Sequence, residues 1–317
     1  MSLECRITQT PLLALLVDLG RVRLQNKGIC QSGPMDWFAF QLNSLLLDND
    51  RNAAQIELMG GTFEALFTAN TRIVVTGASA QLSIDGSELD TWQATEVRAG
   101  QRVRVSTSSS GAMAYLGVAG GFGCPLTHNS VCAVQREQIG GLHQDGKLLI
   151  MGDSIACQSS SPLPASSPRY NAVVKPLINA VYSRSKLTVL PGSCVAQFDP
   201  LEWQTFVDTP YQIDAKSNRM GFRLRGETGL NKRINMRSLP LVLGSVQMPP
   251  DGNPIVMLAD RQTLGGYPQI AIVSRMSIPA LVQRGIGASV EFTASDYSSE
   301  IFAYRRFQYR LNQLFHS

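Results

Sequence analysis

Histidine is scarce in this chain: His128, His143 and His316 are the only three in 317 residues. A His-based catalytic triad or a structural zinc site therefore has poor raw material. Cysteine does not make up the lack. Cys5, Cys30, Cys124, Cys132, Cys157 and Cys194 form no C-x-x-C pair. They read as buried small hydrophobes rather than a disulfide framework, and no metal ligands are expected. G-x-S-x-G, Walker A and G-x-G-x-x-G are missing as well, which removes the nucleophile elbow, the P-loop and the dinucleotide fingerprint. Charge is sparse, at 16% of residues beside roughly 25% in an average domain, which suggests extensive burial or a partner-covered surface. The net charge of +4 is mild, and no run of five or six basic residues occurs. Nucleic acid is not an expected ligand. No apolar run approaches the ~18 residues of a membrane span. The run Leu12–Val17 is short, ends at Asp18 and lacks a small-residue cleavage pattern. A soluble cytoplasmic protein without a membrane partner is the expectation.

What is present is strand after short strand. The length suits about two domains. Leu12–Leu19, Ile56–Leu58, Arg72–Val75, Gln81–Ile84, Arg102–Val105 and Ala114–Val118 are apolar or alternating runs closed by glycine turns. Asp85-Gly86 is a hairpin signal. Between the first two strands, helical spacing predicts a helix over Trp37–Leu47, with Ser32 or Asp36 as its cap; Asp36 serves equally as a ligand contact. The run CQSSSPLPASSP at Cys157–Pro168 cannot build a core and reads as a linker. This divides the chain into a β-rich domain at 1–157, a Ser/Pro-rich linker at 158–169 and a second β-rich domain at 170–317. In the second, strands are expected at Lys186–Leu190, Tyr211–Ile213, Gly221–Leu224 and Ser289–Phe292, with a short helix at Pro279–Arg284. A C-terminal helix is expected over Ser298–Phe315, with Ile301, Tyr304, Leu311, Leu314 and Phe315 as its apolar face. Arg305, Arg306 and Arg310 then form a solvated face towards its C-terminus.

Two stretches of the second domain carry the chemistry. In Leu239–Val273 a Pro-Pro-Asp-Gly turn and a Gly265-Gly266 turn flank Asp260, Arg261, Gln262 and Thr263, which follow the buried run Ile255–Ala259. Polar side chains fixed at a rigid strand end beside paired glycines are what a ligand site needs. A strand-end turn satisfying its own backbone would read the same way. In SNRMGFRL, Ser217–Leu224, Asn218 and Arg219 offer amide and guanidinium donors suited to a carboxylate, carbonyl or phosphate. The plainer alternative is a turn with Asn218 left-handed and Arg219 paired to a neighbouring acid.

These stretches, SNRMGFRL and GSVQMPPDGNPIVMLADRQTLGGYPQIAIV, resemble the signature of the KipA-type family, also called allophanate hydrolase subunit 2 or the C subunit of 5-oxoprolinase. That family is related to half of the carboxyltransferase domain of urea carboxylase. DLGR at Asp18–Arg21, SGPMD at Ser32–Asp36, VTGA at Val75–Ala78, VAGGF at Val118–Phe122, IGGL at Ile139–Leu142 and Gly152-Asp153 continue the resemblance in order. The resemblance implies a mainly β fold of two cyclophilin-like β-barrel domains with a few short helices. It implies a KipI-type partner (the B subunit of 5-oxoprolinase), and in 5-oxoprolinase a third, lactam-binding component as well (the A subunit). The implied reaction is ATP-dependent opening of the 5-oxoproline lactam to glutamate, with ATP and Mg held in the complex and no activity in the isolated chain.

Such chemistry needs donors for phosphate and oxyanion and a clamp for a carboxylate. By chemical type, Asp260, Arg261 and Gln262 are the candidate catalytic group. Asn218, Arg219, Gln247, Gly265, Gly266, Tyr267, Ser32 and Asp36 are the candidate substrate-binding group. The chain departs from the family pattern where a Ser-Arg-Ser-Thr run is usual and His128-Asn129-Ser130-Val131-Cys132 stands instead. Arg136 is the nearby candidate to replace the missing arginine. Val22-Arg23 stand where a glycine usually follows DLGR, and an acidic residue is replaced around Ser277-Ile278. Two other readings share these residues. One is a carboxyltransferase-like subunit working on urea or a related amide, with biotin on another protein because this chain has no biotinyl motif. The other is a non-enzymatic partner that sequesters a KipI-type kinase inhibitor.

Overall fold

The computed structural model describes residues 3–108, 112–158, 169–230, 234 and 236–313. The chain forms two compact units: Met1–Val22 with Ser32–Ile178, and Arg23–Gln31 with Asn179–Ser317. The expected linker at 158–169 lies mostly outside the described residues.

In the first unit the strands pair antiparallel in two sheets. One runs Phe122–Gly123, Ser154–Cys157, Glu4–Gln9, Gly61–Phe67, Arg102–Thr107, Gln81–Ile84, Ser87–Leu89; the other Leu13–Val17, Gln55–Met59, Met113–Val118, Thr71–Thr76, Thr95–Val97. Period-2 alternation sends Phe63, Ala65 and Phe67 inward opposite Val103 and Val105. Ile56, Leu58, Ile73, Val75, Ala114 and Leu116 of the other sheet complete the same core. Burying each larger side chain contributes roughly 1.5–3 kcal/mol. Met113–Val118 is buried along its whole length because the helix Trp37–Leu46 covers the sheet's other face. Asn43 of that helix donates to Val74 O, Thr76 Oγ1 and Tyr115 O at 3.0, 3.3 and 3.1 Å. Gly117 has to lack a side chain there: a Cβ would stand 1.9 Å from Asn43 Oδ1.

The second unit closes into a barrel, in the order Lys186–Pro191, Gln269–Val273, Ser245–Gln247, Ile255–Met257, Gly221–Arg225, Tyr211–Ile213, Ser289–Ala294. One parallel seam, Lys186–Pro191 against Ser289–Ala294, completes the closure. Phe206, Tyr211 and Phe292 fill one end of it, with ring centroids 5.2 to 6.1 Å apart. The mainly β architecture with few helices is as the resemblance implied.

Several local expectations change. The helix Arg169–Tyr182 was not foreseen, and Pro176 lies inside it. The helix Pro200–Asp208 was missed too, although Asp199 and Glu202 form a reciprocal capping box with Pro200 in the first turn. The C-terminal helix spans Tyr297–Gln313. Its buried side chains are Phe307 and Leu311, whereas Ile301 is 49% exposed; a face drawn through 304, 307 and 311 fits the helical period better than one through 301. Leu314 and Phe315 lie outside the described residues. Arg305, Arg306 and Arg310 are exposed, as expected.

Candidate functional site

The buried strand Ser245–Gln247 carries the candidate residue Gln247. Its register against Gln269–Val273 shifts between Val246 and Gln247, and such a bulge re-aims a side chain. Gln247 Nε2 donates to Tyr267 O at 3.2 Å. Gly265 lies against it, where a Cβ would come within 2.3 Å of that nitrogen. Gln269, 3% exposed, accepts from Ser245 Oγ at 3.0 Å and donates to Pro240 O at 3.0 Å. The chain then turns through Pro249–Gly252 and returns in Ile255–Met257.

Beyond that strand the ladder continues irregularly. Leu258 N donates to Met220 O at 3.0 Å and Asp260 N to Arg219 O at 2.9 Å. These bonds set Arg219 against Asp260, and the guanidinium grips the carboxylate through Nε–Oδ2 at 2.8 Å and Nη2–Oδ1 at 3.1 Å. With side chains 7% and 15% exposed, this is a fork-to-fork pair shielded from water. Both oxygens of Asp260 are thereby engaged, which suits an orienting role better than that of a free base or metal contact. Arg261, 9% exposed, donates from Nε to Leu241 O at 3.3 Å, from Nη1 to Leu258 O at 3.2 Å and from Nη2 to Gln31 Oε1 at 3.3 Å. Burial disfavours its charged form, while Cys30 and Asp260 act the other way.

Gln247, Gly265 and the Tyr267 carbonyl thus form one contiguous group. Arg261 joins it through Leu241, whose side chain also lies against Gly265, and Arg219–Asp260 is fixed beside Arg261 by the chain. Gln262 and Gly266 are exposed, and Tyr267 is 45% exposed. Asn218 is exposed, and its Oδ1 accepts from Met220 N at 2.9 Å. It is not left-handed, which corrects the turn geometry expected for it, whereas the expected acid pairing of Arg219 is present. An open groove of about 1470 Å³ runs beside this group, lined by Tyr211, Gln212, Arg223, Arg225, Asn253 and Tyr267 among others. Tyr267 is the one candidate that lines it.

Ser32 and Asp36 belong to the first unit. Ser32 is 6% exposed with φ 58°. Asp36 is fully buried and caps the helix, accepting from Phe38 N and Ala39 N at 3.0 Å each. Its own N–H donates to Tyr115 Oη at 2.8 Å, and that hydroxyl donates to Glu57 Oε2 at 2.7 Å. Burial, then the nearby carboxylates Glu57 and Asp36, hold the Tyr115 phenol well above its ordinary value. The loop with the unusual His128-Asn129 turn is tied down through Asp18, which accepts from Ser130 Oγ at 2.6 Å and Val131 N at 2.9 Å. Arg21, wholly buried, donates to Thr127 O and Cys132 O at 3.1 and 2.7 Å. Arg136, the candidate replacement for the missing arginine, is surface-exposed and paired with Glu137 at 2.7 Å. Ser277, where an acid is usual, is buried and accepts from Thr188 N at 2.9 Å.

Sequence reasoning missed Gln31, Gln269, Glu57 and Tyr115. For Gln269 and Glu57 a signal existed: each is a polar residue inside an apolar strand, PQIAIV and QIELM. Among the described residues no three His, Cys, Asp or Glu side chains gather as metal ligands. Asp260 is the carboxylate beside the arginines and is gripped by Arg219, so this cluster fits a carboxylate, carbonyl or phosphate oxygen and offers no seat for Mg. Among the described residues no helix is long and apolar enough to cross a membrane.

The fold is mainly β, and its class is that of the carboxyltransferase domains. The chain belongs to the carboxyltransferase domain family, subdomain A and B, which matches residues 27–294. It is 32% identical to the C subunit of 5-oxoprolinase from Haemophilus influenzae over 95% of this chain and 94% of that one. Against the C subunit of 5-oxoprolinase from Escherichia coli the identity is 31%, over 90% of each chain. The structure of the K. lactis urea amidolyase superposes over 99% of this chain with a TM-score of 0.86, at 22% identity, and the match spans 20% of that longer chain. The resemblance read from the motifs therefore holds.

Proposed function

We propose that this chain is the C-type subunit of an ATP-dependent 5-oxoprolinase, acting with one KipI-type and one lactam-binding partner. The observation that carries the reading is end-to-end similarity to proteins named as the C subunit of 5-oxoprolinase. The buried donors Gln247 and Arg261 support it, because a lactam bearing a carboxylate needs donors for its oxygens. The lactam oxygen takes the γ-phosphoryl group of ATP and ADP leaves. Water then adds to the activated carbon and the C–N bond breaks, giving γ-glutamyl phosphate; a second water releases glutamate and phosphate. In this scheme Arg261 and Gln247 stabilise oxygen charge, Arg219–Asp260 holds the strand end that carries Arg261 in place, and the complex supplies ATP and Mg.

The test is glutamate and ADP release from 5-oxoproline by the reconstituted complex, with Arg261→Ala and Arg261→Lys beside the wild type. Losing a hydrogen bond from a charged donor costs about 1.5–3 kcal/mol, so kcat/KM is expected to fall roughly 10- to 100-fold in both variants. The lone chain is expected to release no glutamate. An active complex with undiminished Arg261 variants would remove the site from this cluster. Membership of the carboxyltransferase family favours a second reading, transfer of a carboxyl group from biotin carried on another protein. Carboxybiotin-dependent product from a complex silent towards 5-oxoproline would establish it instead.

A further inference from the structure

We propose that Gln31 is a positioning residue for Arg261, delivered to the barrel unit by the segment Arg23–Gln31 acting as a strap. The inference rests on the reading of Arg261 as a substrate-oxygen donor. Although the segment lies in sequence between a strand and a helix of the first unit, it packs as part of the second. It closes on itself: Lys27 N donates to Leu24 O at 2.9 Å, Gly28 N to Gln25 O at 3.0 Å and Ile29 N to Leu24 O at 3.3 Å. Gly28 has φ 78° with open space where a Cβ would stand, so the backbone conformation, not crowding, requires glycine there. The strap ends in a plug. Cys30 is completely buried, and its thiol lies 3.7 Å from Ala259 O, two residues before Arg261.

Gln31 follows the plug, and its Oε1 accepts from both Gln25 Nε2 at 3.1 Å and Arg261 Nη2 at 3.3 Å. Arg261 decides the orientation of the amide, because a guanidinium only donates and only the amide oxygen can accept. That same oxygen also takes the bond from Gln25 Nε2. The other two nitrogens of Arg261 are held by main-chain carbonyls, Leu241 O and Leu258 O, which any sequence with this backbone would supply. Gln31 is the side chain that holds the third. A neutral amide suits this role because it fixes the guanidinium without cancelling the charge offered to a substrate oxygen. A carboxylate at the same place would hold the geometry and neutralise that charge.

This contrast supplies the test. Gln31→Ala, Gln31→Glu and, as a strap control, Lys27→Ala are compared in the reconstituted complex by steady-state kinetics with 5-oxoproline. Amide exchange across 258–263 is measured in parallel on the full chain alone. Gln31→Ala is expected to lower kcat/KM about tenfold and to speed exchange across 258–263. Gln31→Glu is expected to keep exchange slow while raising KM for 5-oxoproline, a split that a purely structural contact would not produce. Lys27→Ala is expected to leave both readouts unchanged. Unchanged kinetics for Gln31→Ala in an active complex overturns the proposal whatever the exchange shows. If even the wild-type complex leaves 5-oxoproline intact, the functional reading fails by itself; exchange then decides the strap, and unchanged exchange in Gln31→Ala overturns it.

Discussion

A methyl group at Gly265 would stand 2.3 Å from Gln247 Nε2 and 2.9 Å from Leu241 Cδ1, whereas one at Gly266 would meet nothing nearer than Ser238 Oγ at 3.9 Å. The two glycines of one dipeptide therefore make opposite predictions. Gly265→Ala forces the buried amide aside and is expected to destabilise by about 1–3 kcal/mol, with activity of the complex falling alongside. Gly266→Ala is expected to stay within about 0.5 kcal/mol of wild type. Thermal or denaturant melts of both variants check this, and equal losses would mean that Gln247 is not held against Gly265. Side-chain direction explains what was legible at this scale. ADRQT announced a polar strand end, but whether Asp260 faced solvent or an arginine depended on the ladder bonds that Asp260 N and Leu258 N donate to Arg219 O and Met220 O, which join residues far apart in sequence. Asp36 was legible as a cap because capping is a local bond. The chain of bonds from Asp36 through Tyr115 to Glu57 is not local, and no spacing rule points to it.

Elements closed by local chemistry were read well. The hairpin Gln81–Ile84 to Ser87–Leu89 turns on Asp85 and Gly86, both with positive φ, as its two-residue turn signal requires. The helix Arg169–Tyr182 was not legible, because Pro176 breaks the helical pattern and a Ser/Pro run precedes it. The helix Pro200–Asp208 was legible in principle. Asp199 Oδ1 accepts from Glu202 N at 2.8 Å, and Glu202 Oε2 accepts from Asp199 N at 2.8 Å, the reciprocal pair that a D-P-x-E run encodes. This cap stabilises the helix that places Phe206 against Phe292 at 5.2 Å. Asp199→Ala is expected to cost about 1 kcal/mol, read as a lowered midpoint in urea with an unchanged m-value. A loss within error would show that the helix is held by its packed aromatic ring and not by its cap.

At the scale of the whole molecule, the two β-rich units follow from strand spacing and the family from motif order, but the assignment of Arg23–Gln31 to the second unit does not. Its composition is that of an ordinary loop, and only the contacts of Cys30 and Gln31 reveal where it packs. The scattered cysteines were read as buried hydrophobes, and all six are free thiols, five of them buried. Burial has a consequence for the whole fold. It pushes the Cys132 thiol up to about 12, with Asp18 adding to the effect, and the Cys157 thiol up to about 12. Cys5 is raised as well, by burial and then by Cys157. A thiol that holds its proton more tightly folded than unfolded contributes stability that is complete below its unfolded value near 9. That contribution is lost as pH rises towards the folded value, because the unfolded chain releases the proton first. Each such group steepens the loss by at most about 1.4 kcal/mol per pH unit. Unfolding free energy from urea melts is therefore expected to be flat with respect to these thiols from pH 7 to 8. It should fall from pH 9 to 10.5 with a slope greater than one proton accounts for. Cys124, less buried and raised only to about 11, should be alkylated before the others across the same range. A slope near zero above pH 9, or alkylation of Cys132 ahead of Cys124, would show that the buried thiols are not sealed in the folded chain.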